Sequence, residues 1–265
     1  MLALILIIFF AFLILGCPIA MAMGVSVIPF FVLTPSASGI TIAQKMFTAC
    51  DSFSLMAIPF FMLAGGIMEQ TGIIKDMVRW AQCLVGHFRG GLAQTSTISG
   101  VILAGVSGSA NADAAALGNM LLPAMKAAGY DAGYSVVCLS TAAGLGPIIP
   151  PSINMVIFCS IVGLSTGAMF AAGILPGLLL ACTYMFYNYL YARKNNMPCG
   201  KFCGIKTLLK TTKEAFFALL MPIIIIGGIL SGIFTPTEAG VVACVYGILY
   251  GLVKKSLTGK SLSKC

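Results

Sequence analysis

Long apolar stretches separated by short polar segments dominate the amino-acid sequence. Because a transmembrane helix needs about 20 mostly apolar residues, this pattern predicts an all-α integral membrane protein with several spans. Gly16, Cys17 and Pro18 supply a turn that divides the first stretch into two helices. The apolar stretches are residues 1–33, 53–68, 133–163, 168–191 and 215–253.

The composition and charge agree with a membrane location. The chain is 59% hydrophobic and 8% charged, which excludes an ordinary soluble domain. Its net charge of +8 does not indicate a nucleic-acid partner, because the basic residues cluster between apolar stretches. The positive-inside rule places the basic segments 193–214 and 254–265 in the cytoplasm and predicts a periplasmic N-terminus. A cleaved signal peptide is the alternative at the N-terminus, but the first basic residue is Lys45, far beyond the position such a peptide requires.

Two of the segments contain polar interruptions. Residues 90–128 are apolar at both ends, but their centre reads GVSGSANAD from Gly105 to Asp113. This pattern favours a re-entrant hairpin, in which two half-helices meet at a tip. Residues 129–163 contain the sequence GLGPIIPPS from Gly144 to Ser152, whose prolines remove backbone donors and predict an unwound centre in one span.

The two interruptions predict a binding site where they meet. Helix N-termini present partial positive charge to a carboxylate, while hydroxyls and unwound carbonyls are suitable ligands for sodium. The alternative is that these small residues only permit close helix packing and a kink. The candidate ligands are the hydroxyls of Ser107, Ser109 and Ser152 and the carbonyls around Gly105, Gly108, Gly144 and Pro147.

Two acidic residues near apolar segments are predicted to have structural roles. Asp113 follows the hairpin tip, where we expect it to cap the second half-helix or to hold the ion-binding loop rather than to bind the ion directly. Glu238 lies three residues after Thr235 and two after Pro236, which is the pattern of a capping box.

Other kinds of chemistry have little support in the sequence. His87 is the only histidine and lies beside Arg89 in a polar turn, so we expect neither a histidine cluster nor a Ser-His-Asp triad and predict that the chain is not an enzyme. Cys199 and Cys203 lack the spacing and the histidine of a zinc site, so we expect no cofactor or metal other than sodium as the coupling ion. Residues 73–89 place Lys75, Asp76, Arg79, Trp80 and His87 among apolar positions, which predicts an amphipathic arm at the membrane interface.

Five motifs in order along the chain resemble the large membrane subunit, the M or DctM-like subunit, of tripartite ATP-independent periplasmic (TRAP) transporters. They are IPFFMLAGGIME at 58–69, GVSGSANADAAALG at 105–118, LGPIIPPSI at 145–153, AGILPG at 172–177 and FTPTEA at 234–239. The resemblance implies an elevator-type, sodium-driven importer of organic acids such as C4-dicarboxylates or sialic acids. It also implies sodium and substrate roles for Ser107, Gly108, Ser109, Gly144, Pro147, Pro150 and Ser152.

Members of this family have two inverted halves and work with a small membrane subunit and a periplasmic substrate-binding protein in the bacterial inner membrane. This chain matches the first half and two following helices, so we expect a fragment, a truncated subunit, or one half of a site that a second chain completes. Another sodium/carboxylate carrier of the wider superfamily and an inactive scaffold subunit are the alternatives.

The expected organisation has eight segments. They are 1–72 N-terminal helices, 73–89 interfacial arm, 90–128 hairpin, 129–163 broken helix, 164–192 transmembrane helix, 193–214 basic loop, 215–253 helix pair and 254–265 basic tail.

Overall fold

The computed structural model describes residues 2–34, 39–51, 53–197, 199–200, 203–254 and 256. Within these ranges the chain is helical, and its only β-type pairing is an isolated bridge between Arg89 and Cys199. The helices fall into two compact units, Met1–Ser52 and Phe53–Cys265.

The first unit contains α1 (Leu2–Ile14), α2 (Ile19–Leu33) and α3 (Gly39–Cys50). The predicted division of the first apolar stretch is confirmed. α1 ends in a Schellman motif, in which Gly16 adopts a φ of 81° and the amide of Cys17 donates to the carbonyl of Phe12. None of the described residues of α1 is buried, and an apolar helix of this kind is suited to lipid.

The second unit contains nine α-helices after a short 3₁₀ helix, Phe53–Met56, within its described residues. By length and apolar composition, four segments there are able to span a membrane: Phe53–Thr71, Thr166–Lys194, Ile205–Leu230 and Pro236–Val253. The helices are α4 (Ala57–Thr71), α5 (Ile73–Val85), α6 (Gly91–Ser107), α7 (Ala110–Ala127), α8 (Ala132–Ala143), α9 (Ile153–Val162), α10 (Thr166–Lys194), α11 (Ile205–Leu230) and α12 (Pro236–Val253).

α6 lies inside the second unit and packs against α5, α7, α8, α10 and α11. Small side chains make this close packing possible. A Cβ atom on Gly100 would lie 2.5 Å from the carbonyl oxygen of Ala142 in α8. The buried hydroxyls of Thr95 and Ser96 donate to the carbonyls of Gly91 and Ala93, at 2.7 and 2.8 Å, so these polar side chains are satisfied within their own helix.

A buried amide joins three of these helices. Asn188 of α10 is 4% exposed, and its Nδ2 donates to Thr97 Oγ1 of α6 at 3.2 Å. Its Oδ1 accepts hydrogen bonds from Tyr134 Oη at 3.1 Å and from Cys138 Sγ at 3.3 Å, both on α8. Because each contact satisfies a buried polar group, this network fixes the position of α10 beside α6 and α8.

The apolar side of α5 is packed within the protein. Met77 and Ala81 are fully buried, and α5 lies against α6 and α11. Trp80 Nε1 donates to Thr212 Oγ1 of α11 at 3.0 Å. The predicted amphipathic pattern is therefore present, and it serves helix packing; the location of this helix at a membrane interface stays a prediction.

The basic segment predicted as a loop over 193–214 is shorter in the structure, because α10 continues to Lys194 and α11 begins at Ile205. Residues 205–214 form the first turns of α11, on whose exposed side Lys210 and Glu214 form an i,i+4 ion pair at 4.0 Å. Lys201 lies outside the described residues.

α12 is held against α4 and α5. A Cβ atom on Gly240 would lie 2.8 Å from the Cβ of Phe60, so this glycine permits close contact with α4. At the other end of α12, Tyr250 Oη donates to Asp76 Oδ2 at 2.8 Å and the Lys254 ammonium group donates to the same oxygen. Most of the basic tail predicted over 254–265, including Lys260 and Lys264, lies outside the described residues.

Candidate functional site

The first helix break lies between α6 and α7. Gly108 ends α6 with a φ of 59°, in the left-handed region, and Ser109 is extended before α7 begins. A Cβ atom on Gly108 would lie 2.4 Å from the carbonyl oxygen of Pro151, so glycine is required both by its backbone angle and by the available space. The two helices pack against each other, as the hairpin prediction requires; its re-entry into a membrane stays a prediction.

Asp113 holds this break in shape from the first turn of α7. Ser107 Oγ donates to Asp113 Oδ1 at 2.6 Å, and the amide of Ser109 donates to Ser107 Oγ at 3.2 Å. The side chain of Ser109 makes no capping hydrogen bond to α7. The carboxyl group is thus connected to the tip through Ser107, which is the loop-holding arrangement that the sequence suggested.

The second carboxyl oxygen of Asp113 is buried and has no hydrogen-bond partner among the described residues. Asp113 is 1% exposed. A Cβ atom on Gly146 would lie 2.7 Å from this Oδ2 atom, so the unwound segment after α8 approaches the carboxyl group closely. A buried acidic oxygen without a donor is costly, and a cation that binds there would remove the cost.

The second helix break spans residues 144–152, between α8 and α9. Ser152 is fully buried, and its Oγ donates to the carbonyl of Pro147 at 2.7 Å and accepts the amide hydrogen of Met155 at 3.3 Å. The Ser152 hydroxyl therefore serves as the N-cap of α9 and uses its only hydrogen within the loop. The peptide bond between Pro150 and Pro151 is cis.

A hydrogen bond joins the two breaks, since the amide of Ile153 donates to the carbonyl of Gly108 at 3.3 Å. Gly108, Pro147 and Ile153 also line one cavity of about 250 Å³, together with Ser109, Ala110, Asn111 and Asn154. The N-termini of α7 and α9 both open onto this cavity, so both helix dipoles favour an anion there.

Two predicted site residues lie elsewhere. Gly105 is inside α6, where a Cβ atom would lie 3.1 Å from Pro222 of α11 and 3.9 Å from the carbonyl of Pro150, so it serves close packing. Gly144 ends α8 by donating its amide to the carbonyl of Ser140 at 2.9 Å. The cavity lining includes neither of them, and Gly146 takes the position facing Asp113.

Two asparagines of the cavity were not predicted. Asn111 and Asn154 occupy the same position in α7 and α9, two residues after the N-cap serines 109 and 152. The repeated pattern Ser-x-Asn after each break, as SAN and SIN, is the sequence signal that identifies them. Their exposed amides provide donors and acceptors beside the two helix N-termini.

A second cavity, of about 240 Å³, lies on the α4 side of the hairpin tip. Its lining includes Ser107, Ser109 and Asp113 from the tip and Gly65, Gly66 and Glu69 from α4. The tip thus has a cavity on either side, with Ser109 lining both.

The helical fold and its segments of spanning length define an integral membrane protein, and its two polar breaks form one candidate site. The chain belongs to the family described as tripartite ATP-independent periplasmic transporter, DctM component, whose family model matches residues 6–265. This is a family of transporter permeases and not of enzymes.

Several curated relatives support this assignment. The chain is 41% identical over 245 residues to the C4-dicarboxylate TRAP transporter large permease protein DctM of Vibrio cholerae, covering 92% of this chain and 54% of that protein. It is 36% identical over 249 residues to the sialic acid TRAP transporter permease protein SiaT of Haemophilus influenzae, covering 94% and 40%. It is 41% identical over 211 residues to the 2,3-diketo-L-gulonate TRAP transporter large permease protein YiaN of Escherichia coli, covering 80% and 50%. The chain thus spans about half the length of the curated relatives it matches.

Proposed function

We propose that this chain forms the first half of a TRAP permease in the bacterial inner membrane, and that the permease couples the import of an organic acid to sodium. The observation that carries the sodium site is the buried Oδ2 of Asp113, which has no hydrogen-bond partner among the described residues where the two helix breaks meet. Sodium prefers oxygen ligands, and an acidic oxygen beside unwound backbone supplies them. This proposal of direct contact with the ion departs from the sequence prediction, which favoured an indirect role for Asp113.

The substrate proposal rests on the cavity between the breaks. Two helix N-termini and the amides of Asn111 and Asn154 surround it, and no acidic side chain is among its described lining residues. This environment favours a carboxylate. Relatives are named for C4-dicarboxylate, sialic acid and 2,3-diketo-L-gulonate, so we propose an organic acid as the substrate class.

The partners follow from the family and from the length comparison. We propose that the chain acts with a small membrane subunit and a periplasmic substrate-binding protein, which delivers the acid. Because the relatives are about twice as long, we propose that a further segment, in the same or in a second chain, completes the site from the opposite side.

Sodium binding is tested on the purified chain in detergent by thermal unfolding. We expect sodium to raise the unfolding temperature and potassium at equal ionic strength to leave it unchanged, since a ligand that binds only the folded state stabilises it. Asp113→Asn should remove the sodium effect, and Ser165→Ala, which alters the exposed N-cap of α10, should retain it. Equal responses to the two cations would refute the sodium site.

Transport is tested separately in proteoliposomes that contain the chain together with the segment that completes the site, the small subunit and the binding protein. Uptake of labelled succinate, sialic acid and 2,3-diketogulonate is measured with and without a sodium gradient. We expect one acid to enter only with the gradient, and uptake to be lost in the Ser107→Ala/Ser109→Ala variant. Absence of uptake under every condition would identify the chain as a non-transporting subunit.

A further inference from the structure

A third cavity, far along α6 from the hairpin tip, contains three cysteines. It has a volume of about 480 Å³ and lies where α5, the start of α6 and the connection between α10 and α11 meet. Cys83 comes from α5, whereas Cys199 and Cys203 come from the connection. All three are free thiols. Neither the proposed transport cycle nor the family assignment gives these residues a role.

Residues 199 and 200 of the connection lie against the turn between α5 and α6. Cys199 forms the isolated β-bridge with Arg89, and a Cβ atom on Gly200 would lie 2.2 Å from the carbonyl oxygen of Gly86. This close packing is possible only for glycine. Cys203 lies three residues after Gly200. Its exposed thiol interacts with the buried thiol of Cys83.

From this geometry we infer that Cys83 and Cys203 are a redox modification site, in which a hydroperoxide or a small disulfide oxidises the two thiols to an intramolecular disulfide. The alternative use of clustered cysteines is metal binding. Across the described ranges, however, no three His, Cys, Asp or Glu side chains are placed to share a metal ion. A disulfide needs only two thiols, and Cys83 and Cys203 line the same cavity and interact there.

The exposure of the two thiols sets the order of the steps. The exposed Cys203 thiolate attacks a peroxide oxygen, the O–O bond breaks, and a sulfenic acid and hydroxide form, which takes up a proton to become water. The Cys83 sulfur then attacks the Cys203 sulfur, the S–O bond breaks, and the second water leaves with the Cys83 proton. Two thiols lose two electrons, and one peroxide is reduced to two waters.

The neighbouring thiol also predicts how the rate depends on pH. Interaction with the Cys83 thiol, followed by desolvation, raises the pKa of the Cys203 thiol above its ordinary value. Because the thiolate is the attacking form, oxidation should accelerate as the pH rises through neutrality toward that pKa. The site is therefore a slow responder to sustained oxidation, and its disulfide would join the α10–α11 connection covalently to α5.

The inference is tested on the full chain in membrane vesicles, independently of transport. Vesicles are treated with hydrogen peroxide or with oxidised glutathione, free thiols are blocked with a maleimide, and the digest is analysed by mass spectrometry without reduction. We expect a peptide pair joined through Cys83 and Cys203 that disappears on reduction, and more of it at pH 8.5 than at pH 7.

Single variants provide the controls. Cys203→Ser should abolish the cross-linked pair, whereas Cys199→Ser and Cys182→Ser, the second on the exposed side of α10, should leave it unchanged. Size-exclusion profiles confirm that each variant is folded. A disulfide between Cys199 and Cys203, a cross-link between two chains, a lasting glutathione adduct, or oxidised Cys203 with Cys83 still reactive to maleimide would each overturn the inference.

Discussion

The break between α6 and α7 and the break between α8 and α9 are close in space but differ in what holds them. At the first, the carboxyl group of Asp113 organises the tip through Ser107, and its other oxygen is buried with no hydrogen-bond partner in the described part of the chain. At the second, Ser152 satisfies the carbonyl of Pro147 and the amide of Met155. Ser152 thus makes its hydrogen bonds within the second break, whereas the first break presents a buried acidic oxygen of a kind that suits a cation.

This difference separates two tasks within one site. A loop whose polar groups are hydrogen-bonded keeps its conformation whether or not an ion is present. Under the proposed function, the second break therefore gives the substrate a rigid binding surface and the N-terminus of α9. A loop with an unpaired acidic oxygen gains stability when an ion binds. Sodium should therefore act mainly on the first break, and the hydrogen bond from Ile153 to Gly108 connects that response to the second.

The largest effect is expected for Gly108→Ala, because this glycine is the point of contact between the breaks. Alanine at a φ of 59° costs about 1–2 kcal/mol, and a Cβ atom 2.4 Å from the Pro151 carbonyl adds about 1–3 kcal/mol of overpacking. Thermal unfolding in detergent measures the loss.

Gly163→Ala is the matched control for that substitution. Gly163 has a φ of 76° and open space around its Cβ position, so it carries the backbone cost alone. If the two variants lost equal stability, the close contact between the breaks would be refuted.

The next effect in size is expected for Asp113→Asn and appears only with sodium. Asparagine keeps an acceptor for Ser107 but removes the acidic group, so the variant should be at least as stable as the wild type in potassium. At a sodium concentration about 100 times the dissociation constant, the wild type should gain about 2.7 kcal/mol that the variant lacks. The measurement is the unfolding temperature as a function of sodium concentration, and an equal gain in both proteins would contradict the assignment.

A smaller effect is expected for Ser152→Ala, which tests the second break. Loss of an N-cap costs about 1 kcal/mol, and the buried Pro147 carbonyl also loses its donor, which adds about 1 kcal/mol or more. The sodium response should persist, since the Ser152 hydroxyl is engaged within the loop. Loss of that response, with the protein still folded, would show that Ser152 is an ion ligand and that the two breaks share the task.

The sequence predicted both breaks because glycine and proline act locally on the backbone. The sequences GVSGS and GPIIPP break a helix wherever they occur in an apolar stretch. The two breaks can therefore be predicted without knowing how the helices pack. The position of Asp113 just after the hairpin tip was enough to predict that it caps the second half-helix or holds the loop. That its second oxygen would face Gly146 depends on how α8 packs beside the tip, which the local pattern does not encode.

The same limit explains why two of the predicted site residues do not line the cavity between the breaks. Gly105 and Gly144 belong to the glycine-rich stretches, but the turn of the helix directs Gly105 toward Pro222, and Gly144 terminates α8. The sequence analysis placed the first residues of α11 in a loop because they contain several lysines. The spacing of these lysines puts them on one exposed side of the helix, so they are compatible with α11 beginning at Ile205.

The smallest effect is expected at the capping box of α12, which lies away from both breaks. The Oγ of Thr235 accepts the amide hydrogen of Glu238 at 3.3 Å, and the amide of Thr235 donates to Glu238 Oε2 at 2.7 Å, as the sequence pattern TPTE predicts. Thr235→Ala should cost about 0.5–1 kcal/mol, less than Ser152→Ala because Thr235 is exposed and water can replace its contacts. Glu238→Gln, which keeps the acceptor, should have a smaller effect than Thr235→Ala in the same unfolding assay. Both variants should retain the full sodium response, because neither touches the first break; a weakened response would mean that the ion is bound through α12 as well.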